Sequence, residues 1–346
     1  MRINLLPSER TCYKASLHCH TNLSDGLHTP EEIKRAYIDR GYSIVAFTDH
    51  FTMYRHPELE DSSFIPINSY EIAFSGYETG YDRQVVYRNK ACHLNAYAID
   101  PNMQEQLPSN FCTYDAKQIN AHIRELHEKG FLVSLNHPEW GRQFEDDFLE
   151  LEGYDFLEVY NSAVEYLENL NDAREHYHQL LRNGRKINVI AADDAHQGLH
   201  TVVAKRVDLN SVRKHGLGLN ETASDLGRAF TMIYPEKFEY RSVMTALKNG
   251  EFYCSSGPII KALYLEDGRF CIDCTPARCI MLTGNAFCRD SVYIDMDANV
   301  VHAEFPLDQI EMREDRRKLF TVKIVDATGH IAYSNPFDLD ELEALK

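Results

Sequence analysis

The sequence predicts an α/β fold: a distorted, TIM-like (β/α) barrel followed by a small β-sandwich-like domain. Three observations predict it. Up to about residue 200, short apolar runs alternate with helical patterns, the grammar of parallel strands joined by crossover helices. The apolar runs are continuous rather than alternating, so both faces of the sheet are covered. Polar residues follow the runs directly, at the C-terminal strand ends where barrels of this type carry their chemistry.

Each element has its own signal. Thr29 is an N-cap, Pro30 opens the first turn and Glu32 completes a capping box. Ile33, Ala36 and Tyr37 form the apolar stripe of that helix, and Gly41 ends it. The apolar run 43–47 then leads into Thr48, Asp49 and His50. The pattern repeats. A helix near 115–129 ends at Gly130, and run 131–135 leads into Asn136, His137 and Pro138. Run 155–159 leads into Tyr160 and Asn161. A helix near 164–183 ends at Gly184, and run 187–191 leads into Asp193, Asp194 and His196. A last helix spans 241–250. After Gly257-Pro258 the helical period disappears, leaving short strand-like pieces and turn signals. The expected domains are therefore 1–257, the barrel, and 258–346, a β domain with a polar tail from Asp338.

Bulk composition narrows the function. The chain has 346 residues, 44% of them hydrophobic, enough for a sizeable core. A net charge of −17 repels phosphate backbones and anionic lipids, so neither nucleic acid nor membrane is an expected partner. A small anionic substrate stays open, because bound metal reverses the local field. No apolar stretch reaches the length of a signal peptide core or a membrane span. Nine cysteines, an odd number, read as reduced thiols and a cytoplasmic location. Cys271 and Cys274 have the spacing that opens a zinc site, but Cys279 and Cys288 continue it in no common way. Buried or idle thiols are the expectation there.

The chemistry gathers elsewhere. His18 and His20 lie two apart on the first strand, so their imidazoles face one way. Asp25, His50, Glu78, His93, His137, Asp194 and His196 follow. Singly, a histidine at a strand end is commonly a satisfied structural residue, and Asp25 or Glu78 an ordinary turn or surface carboxylate. Jointly, six histidines and three carboxylates at successive strand ends point to one place. That is too many for one zinc, but it suits two or three ions sharing carboxylates and a hydroxide.

These residues resemble a known family. His18-Cys19-His20 with Ser24-Asp25-Gly26, then Thr48-Asp49-His50, Asn136-His137-Pro138 and Asp194-Ala195-His196 look like the ordered motifs of the polymerase and histidinol phosphatase (PHP) superfamily. The similarity runs over roughly 14–257. A looser one, through Ser255-Ser256-Gly257-Pro258 and 326–336, is to the subgroup with a C-terminal β domain. The resemblance implies a seven-stranded distorted barrel and two to three divalent ions, usually manganese, iron or zinc. It places the ligand role on His18, His20, Asp25, His50, Glu78, His93, His137, Asp194 and His196, with Asp194 also accepting a proton from the nucleophilic water.

Neighbouring residues offer further roles. Asp49 is positioned to orient an imidazole, and Glu158 and Asn161 to line the pocket, with helix entry the equal alternative for Asn161. Arg55, Arg142 and Arg206 are candidate phosphate clamps. His200 and His28 are candidate general acids, with a surface position the alternative for His28. The expected activity is hydrolysis of a small phosphorylated molecule through a metal-bridging hydroxide. A metal-dependent hydrolase of a carboxylic ester, amide or carbamate is the second reading. A binding or regulatory module with a structural metal site is the third.

Overall fold

The structure, a computed structural model, describes residues 2–79, 86–108, 112–166, 170, 172–196, 225–285, 292–310 and 317–345. It is a mixed α/β protein with much strand and few helices. The chain separates into two compact units: 14–173 with 191–230, and 1–13 with 174–190 and 231–346. This is not the division at 257/258 that the sequence suggests. The second unit is discontinuous, and it draws in the N-terminus and the segment after residue 173. Strands and helices are numbered along the chain.

The first unit holds β2 (Tyr13–Ser16), β3 (Ile44–Phe47), β4 (Ile65–Thr79), β5 (Val86–Ala98), β6 (Cys112–Thr113), β7 (Phe131–Asn136) and β8 (Phe156–Asn161). Their order is β2-β3-β4-β5-β7-β8, with β6 beside β4. β2, β3 and β4 are parallel, as are β7 and β8. β5, however, runs antiparallel to both β4 and β7. The strand order therefore does not reproduce the uniformly parallel barrel read from the sequence. The reason is local. Only residues 80–85 separate β4 from β5, and a parallel crossover needs about a dozen residues or more. A single bridge, Cys19 to Ala195, pairs the segments that follow β2 and β9 (Asn188–Ala192).

The helices follow their caps. In α1 (Pro30–Ile38) the Thr29 hydroxyl accepts from the Glu32 amide, and the Glu32 carboxylate accepts from the Thr29 amide. Ile33, Ala36 and Tyr37 are buried. In α2 (Ala116–Lys129) Asp115 caps the start, and Gly130, at φ 90°, ends it in the left-handed region. The single helix expected near 164–183 is two pieces, α3 being Glu145–Phe148, α4 Ser162–Tyr166 and α5 Arg174–Arg182. Between them the Ala173 amide returns to the Val159 carbonyl.

The second unit begins with β1 (Arg2–Asn4), which pairs with β12 (Ile260–Glu266). With β13 (Arg269–Ala277) and β16 (Val300–Pro306) they form a sheet of order β1-β12-β13-β16. A second run is β15-β14-β17-β18-β11, where β14 is Cys279–Gly284, β15 Val292–Ile294, β17 Leu319–Val325, β18 Ile331–Ser334 and β11 Phe252–Ser255. Leu263, Phe270 and Ile272 from the first sheet share one core with Ile280, Leu282, Phe320 and Val322 from the second. Cys271 and Cys274 are buried in β13, their thiols facing the carbonyls of Arg269 and Val300. Cys279 is buried in β14, and Cys288 lies outside the described residues. Among the described residues, no helix is long and apolar enough to cross a membrane.

Candidate metal centre

The site belongs wholly to the first unit. His18 and His20 follow β2 directly, both fully buried, with ring centroids 5.2 Å apart. The segment 21–26 then folds back as a tight turn. The Gly26 amide donates to the Thr21 carbonyl, and a Cβ on Gly26 would stand 2.5 Å from the His20 carbonyl oxygen. Only glycine permits that approach, and it brings Asp25 to His20. Asp49 accepts from the Thr21 amide and hydroxyl and from the Ser24 hydroxyl. Its role is thus to hold this turn, rather than to orient an imidazole as the sequence suggested.

Glu71 is the hub, and sequence reasoning missed it. It lies in the middle of β4, 1% exposed. Its Oε1 stands 3.1 Å from His93 Nδ1 and 3.3 Å from both His18 Nε2 and His137 Nε2. Asn136 Nδ2 donates to the same oxygen at 3.0 Å. Its Oε2 stands 3.3 Å from His20 Nε2 and 3.4 Å from His50 Nδ1. One carboxylate therefore faces two sets of imidazoles, one with each oxygen. Glu78, the expected ligand, is seven residues further along β4, and its side chain lies outside the described residues. The signal for Glu71 was a lone acid inside an apolar strand, since charged residues are rarely buried unless paired.

Asp194 faces two of the same imidazoles through one oxygen. Its Oδ1 is 3.2 Å from His18 Nε2 and from His20 Nε2. Its Oδ2 accepts from Asn161 Nδ2 at 3.1 Å. Asp194 and His137 adopt positive φ, 52° and 26°, strain of the kind that gathers at functional sites. Glu158 accepts from His18 Nδ1 at 2.9 Å, and through its other oxygen from the His137 amide and Asn161. That bond fixes the tautomer that leaves His18 Nε2 facing the cluster. His196 Nδ1 donates to the Asp194 carbonyl, so its Nε2 faces Asp25, 3.4 Å away. Asp193, also unforeseen, is buried and accepts from the amides of Gly227, Arg228 and Ala229, from Tyr37 and from Ser162. It anchors the segment carrying Asp194.

Charge organises the cluster. Burial raises the pKa of Glu71 and Asp194, but the surrounding histidines outweigh it and hold both well below the usual carboxylate range. Burial likewise opposes protonation of His20, yet Asp194 and Glu71 push it up to about 10. His50 goes the other way, to about 4: burial and the neighbouring imidazoles prevail over Glu71 and Asp25. Exposure runs from nil at His18 and His20 to 21% at His50 and 43% at Asp25. Solvent therefore reaches the cluster at the Asp25 end.

Four donor groups, each within 4.8 Å internally, emerge: His20, Asp25, His50 and His196; His18, His20 and Asp194; Glu71, His93 and His137; and His18, His137 and Glu158. The residues fit metal ions. Asp194 Oδ1 and the Nδ1 atoms of His20, His50 and His137 are buried without a hydrogen bond, a costly state unless a cation satisfies them. The imidazole and carboxylate mixture suits borderline ions. Among the expected ligands, His18, His20, Asp25, His50, His93, His137, Asp194 and His196 are thus gathered, and Glu71 and Glu158 join them. Of the other candidates, Arg55 donates to the Pro101 carbonyl, and His28 pairs with Glu32. Arg142 lies on the turn that follows His137. His200 and Arg206 lie outside the described residues.

A mixed α/β unit built around such a donor set defines a metal-site protein of the multi-histidine, multi-carboxylate kind. Residues 16–183 match the PHP domain family. No curated protein matches the sequence. Three solved structures are similar at low identity. A two-domain protein from Bacteroides vulgatus, described as containing a predicted PHP-like metal-dependent phosphoesterase, is 15% identical with a TM-score of 0.43, over 96% of each chain. A protein from Bifidobacterium adolescentis, assigned as a metal-dependent phosphoesterase, is 15% identical with a TM-score of 0.37, over 57% of this chain and 98% of its own. An amidohydrolase from Chromobacterium violaceum with bound sulfate and no metal is 13% identical with a TM-score of 0.37, over 53% and 87%.

Proposed function

We propose that the protein is a metal-dependent hydrolase, and specifically a phosphoesterase acting on a small phosphorylated molecule. The observation that carries this reading is the pair of buried carboxylates, Glu71 and Asp194, each presenting its two oxygens to different partners. Such sharing suits two or three adjacent ions, of manganese, iron or zinc, held by the four donor groups. When bound, these ions supply the positive field that polarises a phosphoryl oxygen and acidifies water.

The chain's own groups do the rest. Glu158 holds His18 in the tautomer that offers Nε2. Asp49 and Gly26 keep Asp25 at the solvent-exposed end of the cluster. Asp194, set between His18 and His20, is the carboxylate assigned to accept a proton from the attacking water. Asn161 restrains the other oxygen. Phosphoryl transfer asks mainly for positioning and electrostatics, which this arrangement provides without a nucleophilic side chain.

The test is phosphate release from a panel of small phosphoesters by protein reconstituted with manganese, iron or zinc. Release that vanishes on chelation is the expected result. Cleavage of a carboxylic ester or amide, without phosphate release, would replace this reading with the second one.

A further inference from the structure

Beside the cluster lies a cavity of about 500 Å³, lined in part by Lys90, Ala91, Glu139, Trp140, Gly141 and Arg142. Sites for small organic ligands run from about 300 to 1,000 Å³, so the space exceeds what a phosphate group alone would fill. Trp140 forms the wall nearest the donors. Its ring centroid is 4.9 Å from that of His93 and 5.2 Å from that of His137. These two histidines, with Glu71, make up one of the four donor groups.

The indole is held by the backbone around it. The Gly141 amide donates to the His137 carbonyl, the Arg142 amide to Glu139, and the Gln143 amide to Pro138. The Gly141 carbonyl accepts from the Ala91 amide, and Gln143 Nε2 donates to the Ala91 carbonyl. A Cβ on Gly141 would stand 2.4 Å from the Ala91 oxygen, so glycine is required where the turn meets β5. Arg142 takes φ 52° to complete it. A turn pinned in this way starts at a donor histidine and ends at the cavity wall. Lys90, engaged by Asp147, and Arg142 offset Glu139. The lining thus escapes the acidic character of a chain of net charge −17.

We propose that this turn builds a leaving-group subsite, in which Trp140 selects phosphoesters whose leaving group carries a flat ring. The proposal rests on the phosphoester reading above. Its physical basis is that a pre-positioned, half-buried indole offers a large apolar surface to a planar ring at little ordering cost. The same indole lies one ring's width from the donors that would hold the phosphoryl group.

Trp140 is the only tryptophan in the chain, so its fluorescence reports the subsite directly and without turnover. The probes are phenylphosphonate and methylphosphonate, neither of which can lose a leaving group by ester hydrolysis. Titrated into the metal-reconstituted protein, phenylphosphonate is expected to change the emission saturably and to bind about threefold to tenfold more tightly than methylphosphonate, the worth of one aromatic pair. Equal affinities overturn the proposal. In turnover, Trp140→Leu should reduce the wild-type preference in kcat/KM for phenyl phosphate over glycerol phosphate by a similar factor, and Trp140→Phe should retain most of it. Loss of the preference in both variants to the same extent, at unchanged ion content, also overturns it. A clear phenylphosphonate preference with no phosphate release from any ester keeps the subsite and removes the phosphoester reading.

Discussion

In the first unit, Glu71 and Asp194 are buried among imidazoles, with nitrogen–oxygen distances of 3.1 to 3.4 Å that mostly lack hydrogen-bond geometry. In the second unit the comparable interior is Phe270, Phe320 and Phe337, packed ring against ring with centroids 5.0 to 5.9 Å apart. The aromatic group gains from removal of apolar surface from water and needs nothing further. The histidine–carboxylate group pays desolvation on every member, and its internal pairing offsets that only in part. Folding into the first arrangement is sensible chemistry only if a cation completes it. The units therefore differ in what a substitution should do: function and ion content in one, stability alone in the other.

The largest expected effect is on catalysis. Asp194→Asn removes the proton acceptor and keeps the volume. Phosphate release should fall by about 10²–10⁴-fold, the usual contribution of a general base, while at least part of the ion content remains. Elemental analysis alongside turnover checks both halves. Near-normal turnover would remove Asp194 from the mechanism and blur the contrast between the units.

Next comes the opposite experiment. Phe320 is fully buried in the second unit, and Phe320→Ala should cost about 3–5 kcal/mol of stability through lost transfer energy and the cavity left behind. Urea denaturation measures it. The ion content of the folded protein should not change. A loss of ions together with this stability would show that the two interiors are not independent in the way their chemistry suggests.

A smaller effect tests how the site is tuned. Glu158→Gln keeps the shape but weakens the bond to His18 Nδ1. Substituting such an orienting partner lowers metal affinity by about 10–100-fold. Competition with a chelator of known strength reads this out. Unchanged affinity would reduce Glu158 to a structural acceptor for Asn161 and the His137 amide.

What the sequence made legible follows from range. The capping box at Thr29 and Glu32, and the paired spacings His18/His20 and Asp194/His196, are local, so periodicity and spacing were enough to find them. Glu71 was not legible, because its position depends on register. It pairs with Asn95 across β4 and β5, and His93 pairs with Asn136 across β5 and β7. No local pattern reports those partners. The second unit was hidden for the same reason. Arg2 pairs with Glu266, a contact between distant parts of the chain that no boundary signal near Gly257 reveals. Asp49 stands next to His50 in the sequence, yet its oxygens reach back to Thr21 and Ser24, a contact that adjacency does not report.

The smallest effect concerns a histidine–carboxylate pair outside the cluster, and it asks whether solvent alone accounts for the contrast. His127, in the last turn of α2, has Nε2 2.9 Å from Asp155 Oδ2. The hydrogen bond to Asp155 raises its pKa, against the opposing effect of burial. Its place at a helix C-terminus also favours the cation. A folded pKa above the unfolded value means that the protonated form stabilises the fold. That contribution is complete below the unfolded value, about 6.5, and is lost as pH rises through the folded one. The two side chains are 36% and 30% exposed, so water screens the pair and its worth should stay below about 1 kcal/mol. His127→Gln should therefore lower stability slightly below the unfolded pKa and have a vanishing effect well above the folded one. Urea midpoints of the wild type and variant across that range measure the difference. A deficit that is the same on both sides would mean that the imidazole contributes packing rather than charge. The pair would then no longer serve as the solvent-screened counterpart of the buried imidazole–carboxylate contacts around Glu71.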